Sequence, residues 1–162
     1  MVATQAVAAQ DTPRLTGQVL RINDQPLANV RVTLADQTTR TNAQGYFSID
    51  NPPLGRHELF VDGTHGGNDG RQYGKFVIGV DIAGAVTEMP PIFLPRVRAQ
   101  DWIPIASPLE QDQIITHPNV PGMEIHIPRG AVLRERDGRL VTRIALIPIP
   151  WDRTPFPFPE NA

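Results

Sequence analysis

The stretch that decides the fold is LTGQVLRINDQPLANVRVTLADQTTRTNAQGYFSIDNPPLGRHELFVD, residues 15–62. It is a series of short apolar runs cut by turn residues. Leu15 to Ile22 reads as a strand. Asn23-Asp24-Gln25-Pro26 ends it, because Asn and Asp bond their own backbone and Pro withholds a ladder donor. Val30, Val32 and Leu34 alternate with Arg31 and Thr33, the period of a half-buried strand. Thr38 to Thr41 follows after Asp36-Gln37. Asn42-Ala43-Gln44-Gly45 is the strongest turn signal, with Gly45 supplying the positive-φ position. Beyond it Phe47 and Ile49 face one way, Tyr46 and Ser48 the other. Asn51 to Gly55 turns again, and His57 to Val61 is a strand with Leu59 and Val61 inward.

Working outward, Gly63 to Gly74 holds five glycines in twelve residues. It reads as a long mobile loop whose one apolar anchor is Tyr73. Lys75 to Ile82 is a strand apolar on both faces, and Met89 to Leu94 is an edge strand, since Pro90 and Pro91 cannot donate to a central ladder. The expectation for residues 13–96 is therefore an all-β, seven-stranded sandwich. Its expected core is Val19, Val30, Val32, Leu34, Phe47, Ile49, Leu59, Val61, Phe76 and Ile78. Residues 1–12 read as a flexible lead-in, too short for a stable lone helix. Residues 97–119 read as a proline-containing connector. Residues 120–162 read as an incomplete second β module. There Met123, Ile125 and Ile127 alternate in one strand, and Val141, Ile144 and Leu146 lie in another. Asp137-Gly138 marks a hairpin between them, and the module ends in a proline-rich, extended stretch. Both chain ends read as cut from something longer.

Composition narrows the function. With 15 Lys and Arg against 17 Asp and Glu, the net charge of −2 gives no case for nucleic acid. No apolar run approaches the roughly 18 residues of a spanning helix, so no membrane insertion is expected. The absence of cysteine removes disulfides, thiolate metal sites and cysteine nucleophiles.

The order G-x-V, turn, P-L-A-x-V-x-V-x-L, T-N-A-x-G-x-F-x-I, H-x-L-x-V in the opening stretch resembles the carboxypeptidase regulatory-like domain, a transthyretin-like, Ig-like sandwich. The resemblance covers about half of the chain. Farther on, THPNVPGMEIHIPRGA (116–131) and ALIPIPWDRTPFPFP (145–159) resemble the plug-type region that follows such a domain in bacterial Rhs/YD-repeat proteins. Those are large exported or surface-bound shells, and teneurins have a similar architecture. The resemblance implies a secreted or cell-surface location and a non-catalytic role in spacing, docking or plugging. It implies that the partners are the remaining domains of the same polypeptide, and it carries over no catalytic residue.

Site chemistry is sparse. His57, His65, His117 and His126 are scattered, and Ser48 and Ser107 lie outside any G-x-S-x-G elbow, so no catalytic residue is assigned. Asn42, Gln44 and Asp50 around Gly45 form a turn like that of a calcium loop, but amides replace the carboxylates on which calcium affinity depends. The reading there is a structural Asx turn. Asp62, His65, Asn68 and Asp69 could gather an ion only by ordering a glycine-rich loop, so no metal and no cofactor are assigned. A Lys–Asn isopeptide bond would need an early-strand lysine, and the lone lysine, Lys75, comes late. The alternative function is recognition of a carbohydrate or another surface, with a surface glycan as partner. The aromatics that could stack such a ligand, or pack an interface, are Trp102, Trp151, Tyr46 and Tyr73. Of these, Trp102 and Trp151 are expected to pack between the two modules.

Overall fold

The computed structural model describes residues 12–67, 69–135 and 137–155. The readings of the lead-in up to residue 11, of Asn68 and of residues 156–162 lie outside the described residues.

Strand β1 (Arg14–Arg21) is the spine of the first sheet. On one side it pairs antiparallel with β4 (Tyr46–Asp50). On the other it pairs parallel with β8 (Val86–Glu88) and, one step along, with β9 (Ile92–Leu94). Pro90 and Pro91 fall between β8 and β9, where the missing N–H groups split what would be one edge strand. The second sheet runs β3 (Gln37–Arg40), β2 (Arg31–Leu34), β5 (Gly55–Asp62), β7 (Lys75–Ile82), antiparallel throughout. With β8 and β9 counted as one interrupted strand, the two sheets hold the expected seven.

The alternation along each strand sends one face inward. Leu15, Val19, Phe47, Ile49, Ile92 and Leu94 from the first sheet meet Val32, Leu34, Leu59, Val61, Ile78, Val80 and Ile82 from the second. A fully buried aliphatic side chain contributes about 1.5–3 kcal/mol, so this contact holds the two sheets together. Phe76 differs from the expectation: it is only partly buried and packs on the margin of the core. In β7 the buried positions are Ile78, Val80 and Ile82, and Phe76 lies at the start of that strand.

The turn at Asn42 forms as read. The backbone N–H groups of Gln44 and Tyr46 donate to Asn42 Oδ1 at 3.0 and 2.9 Å. Gly45 has φ +78°, and a Cβ there would lie 2.4 Å from the Val19 carbonyl oxygen. Just before it, the buried Thr41 hydroxyl donates to Leu27 O at 2.7 Å and accepts from Val30 N at 2.9 Å. That closes the crossing between the sheets without an unpaired polar group.

The Gly63–Gly74 segment is held at many points rather than at one. Gly63 and Tyr73 are bonded through backbone, Gly67 N donates to Ala28 O at 2.6 Å, and Asn29 Nδ2 donates to His65 O at 3.2 Å. Its end forms β6 (Gln72–Tyr73), which pairs with β10 (Arg96–Val97) as a two-stranded ribbon.

The stretch read as a connector, 97–119, is built into the second module. After a single 3₁₀ turn (Ala99–Asp101), β11 (Trp102–Pro104) pairs with β14 (Arg143–Ala145). Strand β12 (Gln113–His117) pairs with β13 (Val120–Ile127). Prolines 104, 108 and 118 fall at strand ends and turns, so they shorten the strands without abolishing them. Ile105, Leu109, Ile115 and Ile127 form a second core, flanked by Ile103, Ile125, Ile144 and Leu146. The strand read through Val141, Ile144 and Leu146 shortens to β14, and Asp137-Gly138 turns as expected, with Gly138 N donating to Glu135 O at 2.9 Å.

One close approach gives a test of sandwich packing. A Cβ on Gly17 would sit 2.7 Å from the Phe47 ring, and that ring is fixed in the core. Gly17→Ala is expected to cost about 1–3 kcal/mol by overpacking, and Phe47→Ala about 3–5 kcal/mol by leaving a cavity. In the Phe47→Ala background the Gly17→Ala change adds little, because the ring it strikes is gone. Urea unfolding of the four-member cycle checks this, and additive costs contradict it.

Candidate functional site

The sandwich and the second module meet along a cleft. Its sandwich wall is the β6–β10 ribbon with the start of β7, and its far wall is the β11–β14 ribbon with the chain on either side of β14. One cavity, of about 580 Å³, has a largely apolar lining that includes Phe76, Val97, Leu146 and Ile149. A second, of about 540 Å³, is lined by Arg71, Arg96 and Arg143 together with Asp69. Gln72, Val97, Trp102 and Arg143 border both, so the two are halves of one trough. Each lies within the 300–1,000 Å³ typical of ligand pockets.

Two of the four aromatics singled out from sequence come together here. Trp102 is half-buried, and the Arg143 guanidinium stacks over its ring at 4.3 Å. Tyr73 also borders the cleft, but it is only 4% exposed and belongs to the sandwich core. Arg21 lies over the Tyr73 ring at 5.6 Å. The other two do not line the cleft. Tyr46 projects from the outer face of β4, and Trp151 is 80% exposed. Trp151 thus does not pack between the modules. Its neighbour Arg153 does the anchoring, stacking over Phe93 at 5.1 Å and pairing with Asp24.

Electrostatics tie the rim together. Asp69 bridges Arg71 at 3.0 Å and Arg21 at 3.4 Å. Desolvation pulls the Asp69 carboxyl upward, but the Arg71 N–H and the charges of Arg71 and Arg21 outweigh it and hold the group below the usual carboxylate range. Lys75 reaches Glu135 across the cleft at 3.6 Å. Both are well exposed, so the pair contributes about 0–1 kcal/mol and orients the rim more than it binds it.

The residues weighed for catalysis and metal binding stay apart. Ser48 is on the outer face of β4, and neither it nor Ser107 bonds a histidine among the described residues. His126 Nε2 lies 2.8 Å from Glu124 Oε2 on an exposed strand face. Among the described residues no three His, Asp or Glu side chains gather as metal ligands. No helix of the described residues is long and apolar enough to cross a membrane. The Arg143–Trp102 stack was not legible in the sequence, since 41 residues separate the partners and neither lies in a motif.

Residues 14–84 match the carboxypeptidase regulatory-like domain. The matched stretch is less than half of the 162-residue chain and covers most of the sandwich, from β1 to the end of β7. Among solved structures, the Bacillus anthracis TIE protein is similar at 10% identity and a TM-score of 0.42, over 82% of this chain and 24% of its own. The chain thus spans about a quarter of the length of that protein. No curated protein matches the sequence.

Asp62, beside the cleft in β5, gives a pH test. Burial pulls its carboxyl upward. The Thr64 hydroxyl and N–H and the charges of Lys75 and Arg31 prevail and hold it below its ordinary 3.8. A carboxylate with a depressed folded pKa contributes stability that is fully present above the unfolded value and lost as pH falls through the folded one. Asp62→Asn should therefore be less stable than the parent at about pH 7. The gap should close on acidification below 3.8. Urea unfolding at the two pH values checks this, and a gap that persists or widens in acid contradicts it.

Proposed function

We propose that this chain is a non-catalytic accessory and docking unit of a larger exported polypeptide of the Rhs/YD-repeat type. In this reading the sandwich is the fixed base, and the second module is the surface that other parts of the polypeptide complete. The observation that carries the proposal is the narrowness of the second module. Its two sheets, β11–β14 and β12–β13, have two strands each among the described residues. Sheets of that size are marginal alone, and their outer edges are templates for further pairing. Ile114 on β12 and Leu140 near β14 stand exposed beside these edges. The family match at residues 14–84 supports the accessory part of the reading. The resemblance of residues 116–131 and 145–159 supports the Rhs/YD-repeat part and, with it, an exported or cell-surface location.

The chain is expected to bind an apolar dye such as ANS, and Ile114→Lys is expected to reduce that binding. Lengthening the chain by the next residues of its reading frame, about 80, the scale of a small β domain, should quench the dye signal and raise the unfolding midpoint. A dye-silent chain whose stability does not change on lengthening overturns the docking reading.

A further inference from the structure

Three guanidinium groups from three separate elements converge on the second half of the cleft. Arg71 comes from the glycine-rich segment, Arg96 from β10 and Arg143 from β14. The single carboxylate among them, Asp69, is already matched by Arg71 and Arg21. Among the described residues Arg96 has no carboxylate or carbonyl partner, and Arg143 is held only by its stack on Trp102. A guanidinium packed over an aromatic ring has its N–H groups left to grip a carboxylate in two parallel bonds. The lining of this half carries three positive groups and one negative, in a chain whose net charge is −2. The cluster is thus a local feature and not a consequence of overall charge.

The adjoining half of the cleft is of opposite character, with Phe76, Leu146, Ile147 and Ile149 in its lining. A ligand filling the trough therefore needs an aliphatic group next to an anion. The β11–β14 ribbon forms one wall, and as a sheet of two strands it has outer edges carrying backbone groups outside any ladder. Such edges take up extended peptide by main-chain pairing, while side chains select the sequence. We infer that the cleft binds an extended peptide segment presenting a carboxylate beside an aliphatic side chain, with Arg96 and Arg143 holding the carboxylate. This inference shares the β11–β14 edge with the docking reading, but peptide titration tests it apart from dye binding and from stability on lengthening, so either can fail without the other.

The test is calorimetric titration of the whole 162-residue chain at low salt with three peptides. These are acetyl-VLEVL-amide, the neutral acetyl-VLQVL-amide, and acetyl-VLQVL with a free carboxyl terminus. At least one charged peptide should bind about tenfold or more tightly than the neutral one, the scale of a well-made charge-assisted pair. Whichever charged peptide binds tighter assigns the carboxylate to a side chain or to a chain terminus. The double variant Arg96→Gln, Arg143→Gln should erase the preference with the melting temperature unchanged, both side chains being on exposed residues. As a check independent of that variant, raising the salt to about 0.5 M should shrink the preference by screening. Equal binding of charged and neutral peptides, a preference that survives the double variant or high salt, or no binding of any peptide overturns the inference. Binding of trigalacturonate without binding of any peptide assigns the cleft to an acidic saccharide and equally overturns it.

Discussion

The buried ring of Tyr73 is the contact on which the arrangement of the molecule depends. It sits in the sandwich core, 4% exposed, beneath the Arg21 guanidinium. Its backbone pairs with Arg96 in the β6–β10 ribbon, and its N–H donates to Gly63 O at 3.1 Å. One side chain thus pins the glycine-rich segment and sets the direction in which the chain leaves the sandwich toward β11. Burial of an aromatic of this size outweighs the surface ion pairs around it. The Arg21–Asp69–Arg71 chain of charges therefore refines a position that packing determines. The cleft, the placement of Arg71 and Arg96 on its rim and the approach of β14 all follow from that anchor.

Proline is the second constraint. Seventeen prolines in 162 residues leave few uninterrupted stretches for a strand. In the sandwich the effect is local: Pro90 and Pro91 divide the edge strand into β8 and β9, and both halves still pair with β1. In the second module the prolines are closer to the strands they border, and the sheets stay narrow. The same residues that stiffen the chain there leave edges open. This is the physical basis for reading the module as a surface completed by other chain.

Much of the sandwich was legible because its apolar residues alternate cleanly between turn signals. Val30, Val32 and Leu34, then Phe47 and Ile49, then Leu59 and Val61, point inward as their period requires. The Asn42 turn was legible because an Asx side chain and a following glycine name the conformation locally. Tyr73 was not legible as a core residue, since a lone aromatic among glycines has no period to assign it a face. The strands within 97–119 were hidden for a related reason: Pro104, Pro108 and Pro118 break the alternation of Ile103, Ile105 and Ile115. Of the candidate site, the sequence offered Trp102 and Tyr73 as aromatics. Their meeting in a cleft, and the convergence of three arginines beside them, depends on contacts between modules that no local pattern encodes.

The central claim is that the sandwich holds the second module in one fixed arrangement that frames the cleft. The absence of cysteine makes this directly measurable, because two introduced cysteines are the only labelling sites. Spin labels at Val86→Cys on β8 and Ile114→Cys on β12, both exposed positions, report the distance between the modules by pulsed electron resonance. The account predicts a single narrow distance distribution that broadens when Tyr73 is replaced by Ala. A broad distribution in the otherwise unaltered chain, or one indifferent to Tyr73→Ala, would contradict it.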